Sequence, residues 1–113
     1  MANYCFAVPI LPGGIKLMQD WIAQDVVNNK DHDAVMQAAG ISREQIWIQH
    51  TTPQGDLAVA SFEVKDAAKA FEPLVKSQHP WAVKFRDHLS KAHGIDFSQP
   101  IPVNEQMANW QAK

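Results

Sequence analysis

The segment 45–64, QIWIQHTTPQGDLAVASFEV, constrains this chain more than any other. Residues 45–52 and 57–64 alternate and are rich in β-formers, with Pro53-Gln54-Gly55-Asp56 between them. That pattern predicts a β-hairpin. A simple register across the turn sets Thr52 opposite Leu57, His50 opposite Val59 and Trp47 opposite Phe62. One face then carries Trp47, Gln49, Thr51, Ala58, Ala60 and Phe62. The other carries Ile46, Ile48, His50, Leu57, Val59, Ser61 and Glu63. Both faces are largely apolar. One layer of helices covers one side of a sheet, so the second side calls for another layer.

The flanking segments supply the helices. Residues 4–11, YCFAVPIL, form an apolar run stopped by Pro12-Gly13-Gly14, the pattern of a strand buried on both faces. Pro9 has no N–H to donate and belongs near an end or an edge. Ile15, Met18, Ile22 and Val26 then recur at helical spacing, and Val35, Met36 and Ala39 resume the stripe after a polar stretch. This reads as one long helix with a soft middle or as two consecutive helices ending at Gly40. Asp66 is placed to cap a helix over AAKAFEPLVKS, residues 67–77, with Ala67, Ala70, Phe71 and Leu74 as its buried stripe, which Pro73 kinks or ends early. Pro80 opens a further helix with Trp81, Phe85, His88, Leu89 and Ala92 along one face, closed at His93-Gly94. The tail, residues 95–113, is punctuated by Pro100 and Pro102 and reads as extended, with room for a short helical turn from Asn104 towards Trp110.

The chain of 113 residues is long enough for one domain, 1–113, that buries roughly two-thirds of its unfolded surface. A formal net charge of −2 gives no basis for binding nucleic acid. Residues 65–93 nevertheless carry a local basic excess, from Lys65, Lys69, Lys76, Lys84, Arg86 and Lys91. That excess suits either a solvated helix face or an anionic small molecule. Cys5 is the single cysteine, which excludes an intramolecular disulfide, and its apolar surroundings predict a small buried hydrophobe. The sequence shows no export signal and no stretch long enough to span a bilayer, so the expected location is the cytoplasm with no membrane partner.

The element order is strand, helix, hairpin, two helices and tail. This is an α+β class protein with the split βαβ, or ferredoxin-like, sheet and its helices on one face. With the hairpin above followed by SQHPWAVKFRDHLSKAHGIDFSQPIP, the chain resembles the dimeric α+β-barrel superfamily. More narrowly, it resembles a group of short, uncharacterised bacterial proteins whose helix opens with His-Pro and closes with Gly-Ile-Asp. The resemblance covers most of the chain. It implies a homodimer of two four-stranded sheets, with a ligand cleft between sheet and helices or inside the barrel, and a tail that adds a fourth strand or caps the partner. Members of the superfamily include cofactor-free monooxygenases, muconolactone-type isomerases, sugar mutarotases, haem-degrading enzymes and stress-response proteins. The resemblance selects no reaction, because function lives in the site.

Metal ligation finds no support in the spacing. His88 and His93 stand about 140° apart around a helix, and Asp31-His32-Asp33 splays its side chains. No phosphate-binding loop or nucleophile elbow is present, and no cofactor is called for. His50, Ser61 and Glu63 share a hairpin face, which suits a hydrogen-bonded trio or ordinary cross-strand pairing. General acid–base chemistry is the enzyme reading that fits best, with His88 as the catalytic candidate. Trp47, Gln49, His50, His79 and Trp81 are the candidate ligand-binding residues, although His79, just before Pro80, is also placed to cap its helix. The functional expectation is a cofactor-free monooxygenase- or isomerase-like enzyme acting on a small organic molecule. The alternative is a non-catalytic homodimer that binds a small ligand or serves in a stress response.

Overall fold

In the computed structural model, residues 2–53, 55–66, 69, 71–101 and 104–113 are described, with the backbone alone at 51 and 52. Three strands, β1 (Ala2–Pro9), β2 (Ile41–Thr52) and β3 (Gly55–Val64), form an open antiparallel sheet in the order β1-β3-β2. Among the described residues four α-helices complete a mixed α+β fold: α1 (Gly14–Trp21), α2 (Lys30–Ala38), α3 (Glu72–Lys76) and α4 (Pro80–His93). No helix among the described residues is long and apolar enough to cross a membrane.

The hairpin forms, but in a different register from the simple one. Thr52 pairs with Gly55, and an irregularity between Gln49 and Thr52 shifts the ladder further, so that Gln49 faces Leu57 and Trp47 faces Val59. The tighter turn and the bulge together move the pairing by an odd number of residues, which exchanges the faces. Ala58, Ala60 and Phe62 therefore share a face with Ile48, Ile46 and Glu44, and with Val8, Phe6 and Tyr4 of β1. This inner face receives the helices: Tyr4, Ala60, Phe62 and Val64 are buried with Trp21, Val35, Met36, Leu74 and Trp81. Trp47, Gln49, Leu57, Val59 and Ser61 belong to the outer face.

β1 alternates rather than burying both faces. It is an edge strand, the described helices pack on the inner face, and residues 104–109 of the tail reach the outer face beside Cys5, Gln45 and Ser61. Cys5, expected to be buried, is exposed on the outer face, because Tyr4, Phe6 and Val8 take the inward parity. Pro9 ends the strand at the edge, where its missing donor leaves no gap in a ladder.

The long helical stretch resolves into two helices. A π-helical turn over Ile22–Val26 closes with Val27 N–H donating to the Ile22 carbonyl at 3.0 Å, and Asn28 turns the chain with φ 52°. Asn29 then caps α2 by accepting from the His32 amide. The helix expected after Asp66 lies partly outside the described residues. Lys69 N–H donates to the Asp66 carbonyl at 3.2 Å in a 3-10 turn, and α3 starts separately at Glu72 after the bend at Phe71, with Pro73 in its first turn, where the ring opens a helix rather than ending one. Residues 104–113 adopt no helix or strand.

Candidate functional site

The site is set by how α4 is tied to the end of β1. Pro80 starts α4 and His79 caps it, the Trp81 amide donating to His79 Nδ1 at 3.0 Å. Gly94 ends it in the left-handed region at φ 71°. The last turn is fixed to the strand end: Leu11 N–H donates to the Ala92 carbonyl at 2.9 Å, and His93 Nδ1 lies 2.8 Å from the Pro9 carbonyl. Gly14 permits this approach, because a Cβ there would stand 2.7 Å from the Ala92 carbonyl oxygen.

Beyond this junction the chain turns back past β1 without pairing to it. Asn104 meets the strand edge, its amide donating to the Tyr4 hydroxyl and its side chain to the Cys5 carbonyl. Between β1, α3, α4, residues 95–101 and Asn104 lies a cleft of about 440 Å³. Its walls are mostly apolar, including Phe6, Val8, Phe71, Leu89, Ile95 and Phe97, and Arg86 and His93 are among its few polar groups. Apolar walls with sparse convergent polar groups are the usual make-up of a small-molecule site. A recess of about 50 Å³ under the sheet shares Phe6, Val8, Phe85, Leu89 and His93 with it, and is lined further by Trp21, Glu44 and His88.

His93 stands between the two spaces and is only 6 % exposed. Its bond to the Pro9 carbonyl places the ring proton on Nδ1 and the lone pair on Nε2. No described residue bonds Nε2. Burial lowers the His93 pKa, against the pull of the Pro9 carbonyl. His88 lies flat on Trp21 and meets His93 edge to face, with ring centroids 6.0 Å apart. Burial and the neighbouring His93 lower its pKa to about 4, and Asp25 and Asp87 oppose this only in part. Both rings are therefore neutral at pH 7.

Glu44 reaches the same recess from β2. Burial raises its pKa, and the hydrogen bond and charge of His32 offset part of the rise. His32 bridges two carboxylates, with Nε2 3.1 Å from Glu44 and Nδ1 2.8 Å from Asp33. Among the described residues no three His, Cys, Asp or Glu side chains are grouped to hold a metal ion.

Of the candidate catalytic and ligand-binding residues singled out from the sequence, His88 alone enters this site, in the recess, while Arg86 of the basic stretch lines the cleft. Trp47 and Gln49 lie on the outer sheet face, Trp47 50 % exposed. His50 stands at the hairpin bulge, 3.6 Å from Asp56. His79 is the helix cap. Trp81 is buried, its indole N–H donating to the Asp25 carbonyl at 2.8 Å. Ser61 donates to Gln45 on the outer face at 3.5 Å, away from His50. The sequence reading missed His93, Glu44 and Trp21. Glu44 had a signal, since it shares the parity of Ile46 and Ile48 and so places a carboxylate on an apolar face. His93 had none, because its partner Pro9 is remote in the chain.

No protein-family model matches the chain, and neither a curated protein nor a solved structure shows significant similarity to it.

Proposed function

We propose that the protein binds a small, mainly apolar organic molecule in the cleft between β1, α4, residues 95–101 and Asn104. The observation that carries this reading is an apolar cleft of about 440 Å³ lined by a buried histidine, His93, whose Nε2 has no partner among the described residues. A thermal-shift screen with small organic molecules tests it, run beside Leu89→Trp, which fills the shared wall of cleft and recess. A ligand that stabilises the wild-type protein and leaves Leu89→Trp unmoved supports the reading. Equal stabilisation of both places the ligand elsewhere and removes it.

A cofactor-free enzyme of the monooxygenase or isomerase kind is the second reading, favoured by His88, His93 and Glu44 meeting at one recess. A neutral imidazole accepts a proton from a bound carbon or oxygen acid, and a carboxyl group with a raised pKa can return one. In this reading His88 remains the catalytic candidate and His93 joins it. A ligand that stabilises the fold and is recovered chemically unchanged leaves the binding reading alone.

A second copy of the chain as the cover of the outer sheet face belongs to the same proposal. The order β1-β3-β2, with β1 and β2 both antiparallel to β3, fits a ferredoxin-like sheet lacking its fourth strand. Half-exposed Trp47 on the outer face and exposed Met107 and Trp110 on the tail present apolar surface for a partner. A dimeric barrel is the arrangement that buries such a face against itself.

A further inference from the structure

We propose that the ligand of the cleft carries a carboxylate, and that Arg86 receives it. This inference rests on the cleft-binding reading and names the class of molecule: an amphiphilic monocarboxylate with an apolar body.

Arg86, Leu89 and His93 lie along one stripe of α4, three and four residues apart, and all three line the cleft. Arg86 and His93 are about 10 Å apart along the helix axis. The wall between them is apolar. A molecule lying along α4 thus meets a cation at one end, hydrocarbon in the middle and a neutral imidazole at the other end.

Among the described residues no carboxylate matches the charge on Arg86. Its NH1 donates to the carbonyls of Leu74 at 2.7 Å and Ser77 at 2.8 Å, which holds the end of α3. These are neutral acceptors. No described carboxylate pairs with the guanidinium, and no described residue accepts from its Nε or NH2. The acids nearest along the chain are engaged elsewhere, Glu72 with Lys76 and Asp87 with Lys91, and Asp25 of the neighbouring π-helical turn pairs with Lys84. Asp96, the remaining ionised group on the cleft wall, lies past the opposite end of α4. There the Ser98 hydroxyl and amide hold its pKa below the usual carboxylate range. A guanidinium keeps its charge throughout the physiological range, and its planar fork matches a carboxylate. Half-buried in apolar surroundings, it gains more from an anion than from a neutral ligand.

The test compares octanoate with octanol, which share an apolar body and differ in the head. Binding of each is followed by NMR shift titration on the wild-type protein, Arg86→Lys and Arg86→Gln. The expected result is octanoate binding at least about tenfold more tightly than octanol to the wild type. Arg86→Lys should keep part of that preference and Arg86→Gln should lose it. Equal affinity of the two probes for the wild-type protein overturns the proposal and leaves the apolar cleft standing. A preference that survives in folded Arg86→Gln also overturns it. If neither probe binds the wild type, the cleft-binding reading fails and this inference falls with it. The wild-type comparison decides the matter even where Arg86→Gln does not fold.

Discussion

His88 lies parallel to Trp21, the ring planes 10° apart and their centroids separated by 4.9 Å. The stack holds the imidazole in the recess in a setting that disfavours its charge, and the pKa falls from 6.5 to about 4. An unfolded chain binds a proton here as pH drops below 6.5, whereas the folded chain does not until about pH 4. The unfolded state therefore holds more protons in that window, and stability decreases as pH falls through it. Above pH 6.5 the contribution is complete. The full shift corresponds to about 3 kcal/mol, which reduces to roughly 1–2 kcal/mol because the ring is partly solvated. Urea unfolding at pH 7 and pH 4.5 should show that loss in the wild-type protein and a smaller one in His88→Phe. His93, also lowered, leaves a residual slope of the same sign. An NMR titration midpoint for His88 near 6.5 would contradict the account.

The pair His32–Glu44 links α2 to the inner face of β2 across 3.1 Å, with both side chains largely out of water. Removing the imidazole leaves a carboxylate beside Phe62 with no compensating charge. His32→Ala should cost about 2–4 kcal/mol, less the more water enters. It should also raise the Glu44 pKa further, since His32 supplies the only two effects that lower it. A carboxyl pKa raised on folding stabilises at low pH and gives up that contribution as pH rises through the folded value. The variant should thus be most impaired near neutrality and recover towards pH 4. Adding Glu44→Leu should restore most of the lost stability, because an apolar side chain suits that face. Thermal denaturation across pH, with the Glu44 carboxyl carbon followed by NMR, checks both parts.

Gly14→Ala tests the tie between α1 and α4. The added methyl would sit 2.7 Å from both the Ala92 carbonyl oxygen and the Ile10 side chain, and the first is backbone that cannot rotate away. Accommodation requires the end of α4 to move off β1, at about 1–3 kcal/mol. Because His93 rides on that end, the same variant should disturb the bond to Pro9. A changed His93 tautomer or line shape should accompany the fall in Tm. A drop in Tm with His93 unaltered would mean that the recess does not depend on this contact.

Local signals in the sequence were informative, and non-local ones were not. Pro80, His79 and Gly94 specify the start, cap and stop of α4, each at the end of the helix it marks, and each does so in the structure. The two hairpin strands were equally visible from their alternation. Their register was not, since Thr52 pairs with Gly55 and the bulge shifts the ladder by an odd number, which separates Trp47 and Gln49 from Ala58, Ala60 and Phe62 and leaves them on the outer face. Candidate residues chosen by face were therefore separated from His88. His93 and Glu44 reach the recess only through long-range packing, the first against Pro9 and the second through the corrected strand parity.

Trp47 carries the remaining prediction. It stands half-exposed in the middle of the outer face, across from Val59, with Gln45 and Gln49 on either side along the strand. A second copy over this face would take the indole out of water, a large gain for one side chain and the kind of anchor on which an interface depends. Light scattering at micromolar concentration should then return a dimer for the wild-type protein and a monomer for Trp47→Lys. The inner face and its helices do not involve this position, so the far-ultraviolet circular dichroism of the variant should match the wild type. Indole emission should shift to the blue on association and revert on dilution. A wild-type chain that is monomeric at every concentration tested would show that a second copy does not cover the face, and the dimeric barrel would go with it.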